Sequence, residues 1–345
     1  MWQTFVALIL IPNIAYSLSF TDLFKPKART HISIVGSSTV YPFVAVIAET
    51  FGRDTQHKTP VVESTGTGGG FKLFCGGIGY NYPDFSNASR AIQQSEISKC
   101  KENGISVFEI KLGYDGITLA NSKIGKNYSL TKEQIFLALA AKTPSEDGKK
   151  LILNPYKKWS DIDKKLPNIN ITIYGPPPTS GTRDAFVELV MEDVCTKIPA
   201  FKNSFTNKKI LAKKCHLIRS DGAFIEAGEN DNLIVQKLKN DANALGIFGF
   251  SFLEENRHVI KAAKINNVEP SFDSIVSGSY EISRPLFIYG KKQHLKLITG
   301  MREFAEEIIS KNTIGNDGYL MQKGLIPLTN SELEKVRGET AKIIN

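Results

Sequence analysis

The chain has 345 residues, 41% hydrophobic and 23% charged, an ordinary globular composition that excludes a wholly disordered chain and gives room for two domains. Its net charge is +8, and six of its lysines crowd one stretch (Lys197, Lys202, Lys208, Lys209, Lys213, Lys214). That stretch lacks the aromatics and arginines that interleave on a nucleic-acid face, so it reads as solvated surface, while the overall positive field favours small anions.

Residues 1–20 carry no charge. The apolar run Val6 to Ile11, followed by small residues at Ala15 and Ser17, predicts a secretory signal peptide over 1–19. Pro12-Asn13 interrupts the run and makes it too short to anchor in a bilayer. The mature protein is expected to be soluble and exported. Four cysteines (Cys75, Cys100, Cys195, Cys215) match no zinc spacing, and in an oxidising compartment they predict two disulfides.

From Ile32 the pattern is strand, turn, helix. Ile32 and Ile34 alternate with polar neighbours up to Val35, and Gly36-Ser37-Ser38-Thr39 breaks the strand. Val40, Phe43, Val44, Ile47, Ala48 and Phe51 then recur at helical spacing, with Pro42 in the first turn. Val61-Val62 is a short strand. The glycine run Thr65 to Gly70 follows it, without the Gly-Lys-Ser/Thr ending of a nucleotide-binding loop, and a helix is expected from Phe71. Pro83 to Arg90 reads as a strand closing in a polar turn, and a helix is expected from Ser95. Ile105–Ile110 and Gly113–Ala120 read as two extended pieces. Thr131 with Gln134 forms a capping box before Ile135.

Ile169, Ile171 and Ile173 predict the next strand. After it come three stiffening prolines and then Ser180-Gly181-Thr182-Arg183 at the start of a helix. Hydroxyls, a glycine that lets backbone come close, unsatisfied first-turn N–H groups and an arginine fork together suit an anion. Asn230-Asp231 precedes another helix, Ala244–Phe250 reads as an apolar strand, and Glu281–Tyr289 as a long strand broken at Pro285. The tail is mainly helical. Strands alternating with helices predict an α/β fold whose ligand sits beyond the carboxyl ends of the strands.

Several of these turns resemble, in order and spacing, those of the periplasmic phosphate-binding proteins of ABC transporters, the PstS family. They are Gly36 to Phe43, Gly66 to Lys72, Asp84 to Arg90 and Ser180-Gly181-Thr182. Trp159 to Ile162 and Ser283-Arg284-Pro285-Leu286 add to the resemblance, which spans about residues 30–325. It implies a two-lobed α/β fold of the periplasmic binding protein type, each lobe a mostly parallel sheet flanked by helices, joined by two crossover strands. Lobe one would take 30–114 and 286–345, and lobe two 115–285. Two positions depart from the best-known branch. Arg90 stands where that branch has aspartate, and Pro176 stands where it has arginine.

The resemblance implies a monomeric, periplasmic solute-binding protein with no cofactor and no nucleic-acid partner. It would capture inorganic phosphate and deliver it to membrane permease subunits. Ser38, Thr39, Thr67, Ser89, Ser180 and Thr182 offer hydroxyls, and the backbone near Gly68 and Gly181 offers N–H groups. Arg90 and Arg183 offer charge. A carboxylate is needed to accept the P–OH and repel sulfate; Asp231, beside Asn230, is the first choice, with Glu229 and Asp221 behind it. Disulfides within the lobes, Cys75–Cys100 and Cys195–Cys215, leave such a hinge free to open, whereas bonds between lobes would resist it. Two rivals remain in view: a binding protein for another oxyanion or a phosphorylated compound, and an exported phosphatase using Ser38 or Ser180. Against the phosphatase, all five histidines lie outside the proposed loops and no metal-ligand cluster is visible.

Overall fold

The computed structural model describes residues 29–228 and 230–345, so the expected signal segment and Glu229 lie outside the described residues. The first half is built from β1 (Ser33–Gly36), α1 (Tyr41–Asp54), β2 (Val61–Ser64), α2 (Thr67–Phe74), β3 (Phe85–Ala88) and α3 (Gln94–Glu102). Helix α1 buries Phe43, Val44, Ile47, Ala48 and Phe51, the stripe its spacing predicts, and carries Pro42 in its first turn. Strands β2, β1 and β3 pair in parallel. The chain leaves β1 at Gly36, where φ is +141° and a Cβ would sit 2.0 Å from the Asn87 carbonyl oxygen, so only glycine fits. The helix expected from Phe71 begins four residues earlier, at Thr67.

A single 16-residue strand, β4 (Val107–Ser122), replaces the two extended pieces read from sequence. It continues through Gly113 because both its ends find ladder partners, as described below. The second half contains α4 (Lys132–Leu139), β5 (Ile173–Gly175), α5 (Gly181–Phe186), α6 (Lys208–Cys215), β6 (Phe224–Glu226), α7 (Asp231–Asn240), β7 (Leu245–Gly249) and β8 (Ile260–Ala262). The Thr131–Gln134 capping box on α4 is present. Strand β5 is shorter than its alternation predicts because the backbone of Ile169 and Ile171 bonds to Trp159 and Lys157 instead. The chain then returns along β9 (Ser283–Lys291) and ends in helices that include α8 (Met301–Ile308) and α9 (Asn330–Ile344).

These nine strands join one sheet in the order β2-β1-β3-β9-β4-β7-β5-β6, with β8 also on β4, and two short two-stranded sheets lie apart from it. Each half has a parallel triplet, β2-β1-β3 and β7-β5-β6. The long strands run antiparallel to their neighbours: β9 to β3 and β4, and β4 to β7 and β8. The mostly parallel sheets read from sequence therefore hold within the triplets and not at the junction. Pro285 does not break β9; the ladder shifts register between Leu286 and Phe287.

The two disulfides are Cys75–Cys100 and Cys195–Cys215. The first lies in a small core with Phe71, Phe74 and Tyr289. Replacing both cysteines of either pair by serine should cost about 2–4 kcal/mol, chiefly by freeing the unfolded chain, and denaturant titration measures it. An unchanged midpoint would show that the bond is idle.

Helix α9 anchors β4 through Glu332, whose carboxylate takes the Lys111 ammonium at 2.8 Å and the Tyr114 hydroxyl at 2.6 Å. Burial opposes ionisation of Glu332, but these donors and the Thr329 N–H outweigh it and hold the carboxyl down to about 2. A carboxyl depressed on folding stabilises fully above its unfolded value near 4.5 and loses that contribution as pH falls toward 2. Glu332→Gln should therefore lower stability at neutral pH, with the deficit vanishing across that window in pH-dependent unfolding. A deficit independent of pH would exclude the ion pair as its source.

Candidate functional site

Parallel pairing brings the carboxyl ends of β1, β2 and β3 to one edge, where their turns gather. Thr67, at the start of α2, meets Ser89 beyond β3: the hydroxyls lie 3.2 Å apart and the Ser89 N–H donates to Thr67 Oγ1 at 3.3 Å. Gly68 is exposed beside them. Thr39 is buried and Ser38 half-buried in the turn between β1 and α1.

The turn after β5 comes from the other half of the sheet and reaches the first. A Cβ built on Gly181 would lie 3.7 Å from the Thr39 Cα and 3.9 Å from the Ser38 carbonyl oxygen. Gly181 thus abuts Ser38 and Thr39, with Ser180 and Thr182 on either side of it; all of these but the buried Thr39 are half-buried. Helix α5 continues without a break through a wide turn, Val187–Glu192, to the disulfide at Cys195.

A cleft of about 920 Å³ opens beside this junction. One wall holds Gly66, Thr67, Gly68, Ser89 and Arg90; the other holds Glu188, Glu192, Lys209 and Ala212, with Arg284 and Pro285 also lining it. Lys209, read from sequence as part of a solvated stretch, faces this cleft.

The arginines differ from expectation. Arg90 lies on the cleft wall, but its fork is committed to Glu96, at 2.7 and 2.9 Å, and this pairing raises its pKa. Its charge is therefore largely spent on a neighbour six residues away. Arg183 is buried, donates to the Pro176 carbonyl at 3.1 Å and lies over the Phe224 ring at 4.6 Å. Burial lowers its pKa, against the pull of Glu226 and Asp184.

Arg284, which sequence reasoning left outside the site, is the cation that connects its parts. It is 8% exposed, donates to Thr39 Oγ1 at 2.7 Å, and pairs closely with Glu188 on the opposite wall. Asp115 faces it across the β4–β9 ladder, with Oδ2 3.8 Å from Arg284 Nε. Burial pushes the Asp115 carboxyl up and Arg284 restrains it. Asp115 Oδ2, Arg284 Nε and both amide atoms of Asn87 are buried with no hydrogen-bond partner among the described residues.

The carboxylates named from sequence sit elsewhere in this network. Asn230 caps α7 by accepting the Asn232 N–H at 3.0 Å, Asp231 occupies the first turn, and neither is part of the cleft lining. Asp221 is held well below the usual carboxylate range by Arg219, with Lys157 adding to it, so its acceptor capacity is already taken. Among the described residues no group of three His, Cys, Asp or Glu is placed to hold a metal ion, and no helix is long and apolar enough to cross a membrane.

Two parallel triplets, bridged by long strands and meeting at hydroxyl-rich turns beside a cleft, define a two-lobed solute-binding architecture. Residues 25–312 match the PBP superfamily domain. Protein SphX of Synechococcus elongatus is 31% identical over 93% of this chain and 85% of its own. The phosphate-binding protein PstS of Staphylococcus saprophyticus is 32% identical over 82% of this chain and 77% of its own. A possible phosphate-binding protein from Planctomyces limnophilus superposes with a TM-score of 0.74 at 28% identity, covering 92% of this chain and all of that one. The chain belongs to the PstS family of the PBP superfamily.

If Arg284 ties the walls as its contacts indicate, Thr39→Val and Arg284→Met should not be additive. A double-mutant cycle on unfolding free energy should give a coupling of roughly 0.5–3 kcal/mol, and additivity would show that the hydrogen bond contributes nothing.

Proposed function

We propose that the chain is an exported solute-binding protein that captures inorganic phosphate between its lobes and delivers it to the permease of an ABC transporter. The abutment of Ser180-Gly181-Thr182 on Ser38-Thr39 carries this reading. It joins hydroxyl and backbone donors from two halves of the sheet, beside a buried arginine that bonds Thr39 and pairs with Glu188. Phosphate oxygens need many donors at once, and preorganised N–H and O–H groups replace its water shell without reorganising. Family membership supports phosphate as the ligand.

In this reading Ser38, Thr39, Thr67, Gly68, Ser89, Ser180, Gly181 and Thr182 line the anion site, Arg183 and Arg284 supply charge, and Arg90 contributes through Glu96 to the wall. Lobe one takes 30–114 and 286–345, lobe two 115–285, with β4 and β9 as the crossovers. The protein acts as a monomer in the periplasm and performs no chemistry on its ligand.

Calorimetric titration with phosphate tests the reading: saturable binding of one anion per chain supports it, and no heat or turnover of a phosphate ester contradicts it. Arg284→Ala should weaken phosphate binding by roughly 30- to several-thousand-fold, because truncating a buried charged partner costs about 2–5 kcal/mol. Arg183→Ala should fall in the same range. Arg90→Ala should weaken it less, within about tenfold, since Glu96 already engages that guanidinium.

A further inference from the structure

Several exposed lysines of this protein are answered by carboxylates. Lys99 meets Glu102 at 3.1 Å, Lys311 meets Glu334 at 3.1 Å and Lys197 meets Asp193 at 2.8 Å. Helix α6 differs. Between Asp193 and Asp221 the sequence contains no acidic residue. Lys208, Lys209, Lys213 and Lys214 are exposed on this helix, and Lys202 is exposed just before it. None of these lysines has a carboxylate partner among the described residues.

The helix is firmly held. Asn207 caps it by accepting the Lys209 and Ile210 N–H groups at 3.0 and 3.2 Å. The Cys195–Cys215 disulfide ties its far end to the end of the α5 run. Leu211 and Cys215, four positions apart, are its buried side. The opposite side carries Lys209, Ile210, Lys213, Lys214 and, two residues past the last turn, Leu217. Ile210 is 49% and Leu217 50% exposed.

Two aliphatic side chains thus stand among unpaired ammonium groups. An anionic bilayer surface suits both parts. Its headgroups attract the lysines, whose long stems keep the charge at headgroup level while the aliphatic groups enter the acyl boundary. This face has no arginine fork and no aromatic ring, so it offers a nucleic acid neither bidentate pairing nor stacking. A purely acidic partner would use the lysines and leave Ile210 and Leu217 in water.

We propose that α6 docks the protein on an anionic lipid surface, with Lys209, Lys213 and Lys214 among the headgroups and Ile210 and Leu217 inserted. Lys209 and Ala212 also line the cleft. Docking through α6 therefore holds one rim of the cleft at the bilayer, where a permease opens. That use rests on the transport reading above; the docking itself does not.

The test is flotation with unilamellar vesicles, using the chain without its expected signal segment 1–19 so that an apolar leader cannot supply the attachment. Vesicles of phosphatidylglycerol mixed with phosphatidylcholine should bind the protein at least about tenfold more tightly than phosphatidylcholine alone, a difference that shrinks as salt rises. Lys213→Gln with Lys214→Gln should lower binding to the anionic vesicles about 25-fold, and Ile210→Gln with Leu217→Gln at least about fivefold. Both variants should keep the wild-type melting profile and phosphate titration; Ile210→Ser with Leu217→Ser serves if the glutamine variant melts early. Equal binding to both vesicle types, or to neither, overturns the proposal. So does anionic-vesicle binding that survives loss of Ile210 and Leu217 in full, since charge alone would then account for it and an acidic protein would serve as well. A chain that binds the anionic vesicles but no phosphate leaves the docking standing and refutes the functional reading instead.

Discussion

A guanidinium taken out of water needs its N–H groups answered, and Arg284 draws its partners from three other segments of the chain. Thr39 belongs to the turn that opens α1, Glu188 to the helix that follows the β5 turn, and Asp115 to the crossover β4. A charge with partners on both walls favours the arrangement in which those walls are close, because removing any one partner leaves a buried charge poorly compensated. The long antiparallel pair β4–β9 is what allows this. It passes between the two parallel triplets and carries Arg284 and Asp115 at the point where they meet.

The surrounding charges are arranged around that fact. Arg90 and Arg219 are each neutralised locally, by Glu96 and Asp221, and stabilise the turns that hold them. Among the described residues Arg183 has a carbonyl and an aromatic face as direct partners, with Glu226 and Asp184 acting on its charge. Of the basic residues read as anion ligands, the one that keeps its charge available lies on α5, whose first residues abut Thr39. An anion seated there would add the negative charge that this corner can compensate.

Local patterns were read well from the sequence because they depend on neighbours along the chain. The apolar stripe of α1, the capping box at Thr131, and the hydroxyl turns at Ser38 and Ser180 are all set within a few residues. The disulfide pairing followed from the lobes that the family resemblance implies. The junction was read poorly because its partners are remote: Thr39 and Arg284 are 245 positions apart. Arg284 precedes a proline in a strand pattern, which reads as a break, and Asp115 lies in the second of two pieces taken for separate strands. Both errors have one source, since ladder partners that make β4 and β9 continuous are invisible to local alternation. Arg90 is the instructive intermediate case. Glu96 follows it by six residues, and that nearby carboxylate was the signal that its fork was already committed.

Arsenate can report directly where the anion sits. A crystal structure of the arsenate complex, with data collected at the arsenic absorption edge, would locate the anion without reference to the surrounding density. The anomalous peak should lie within hydrogen-bond reach of the Thr39 hydroxyl, the Gly181 N–H and the Arg284 guanidinium together. A peak held by only one half of the sheet, or one seated away from Arg284, would contradict that placement.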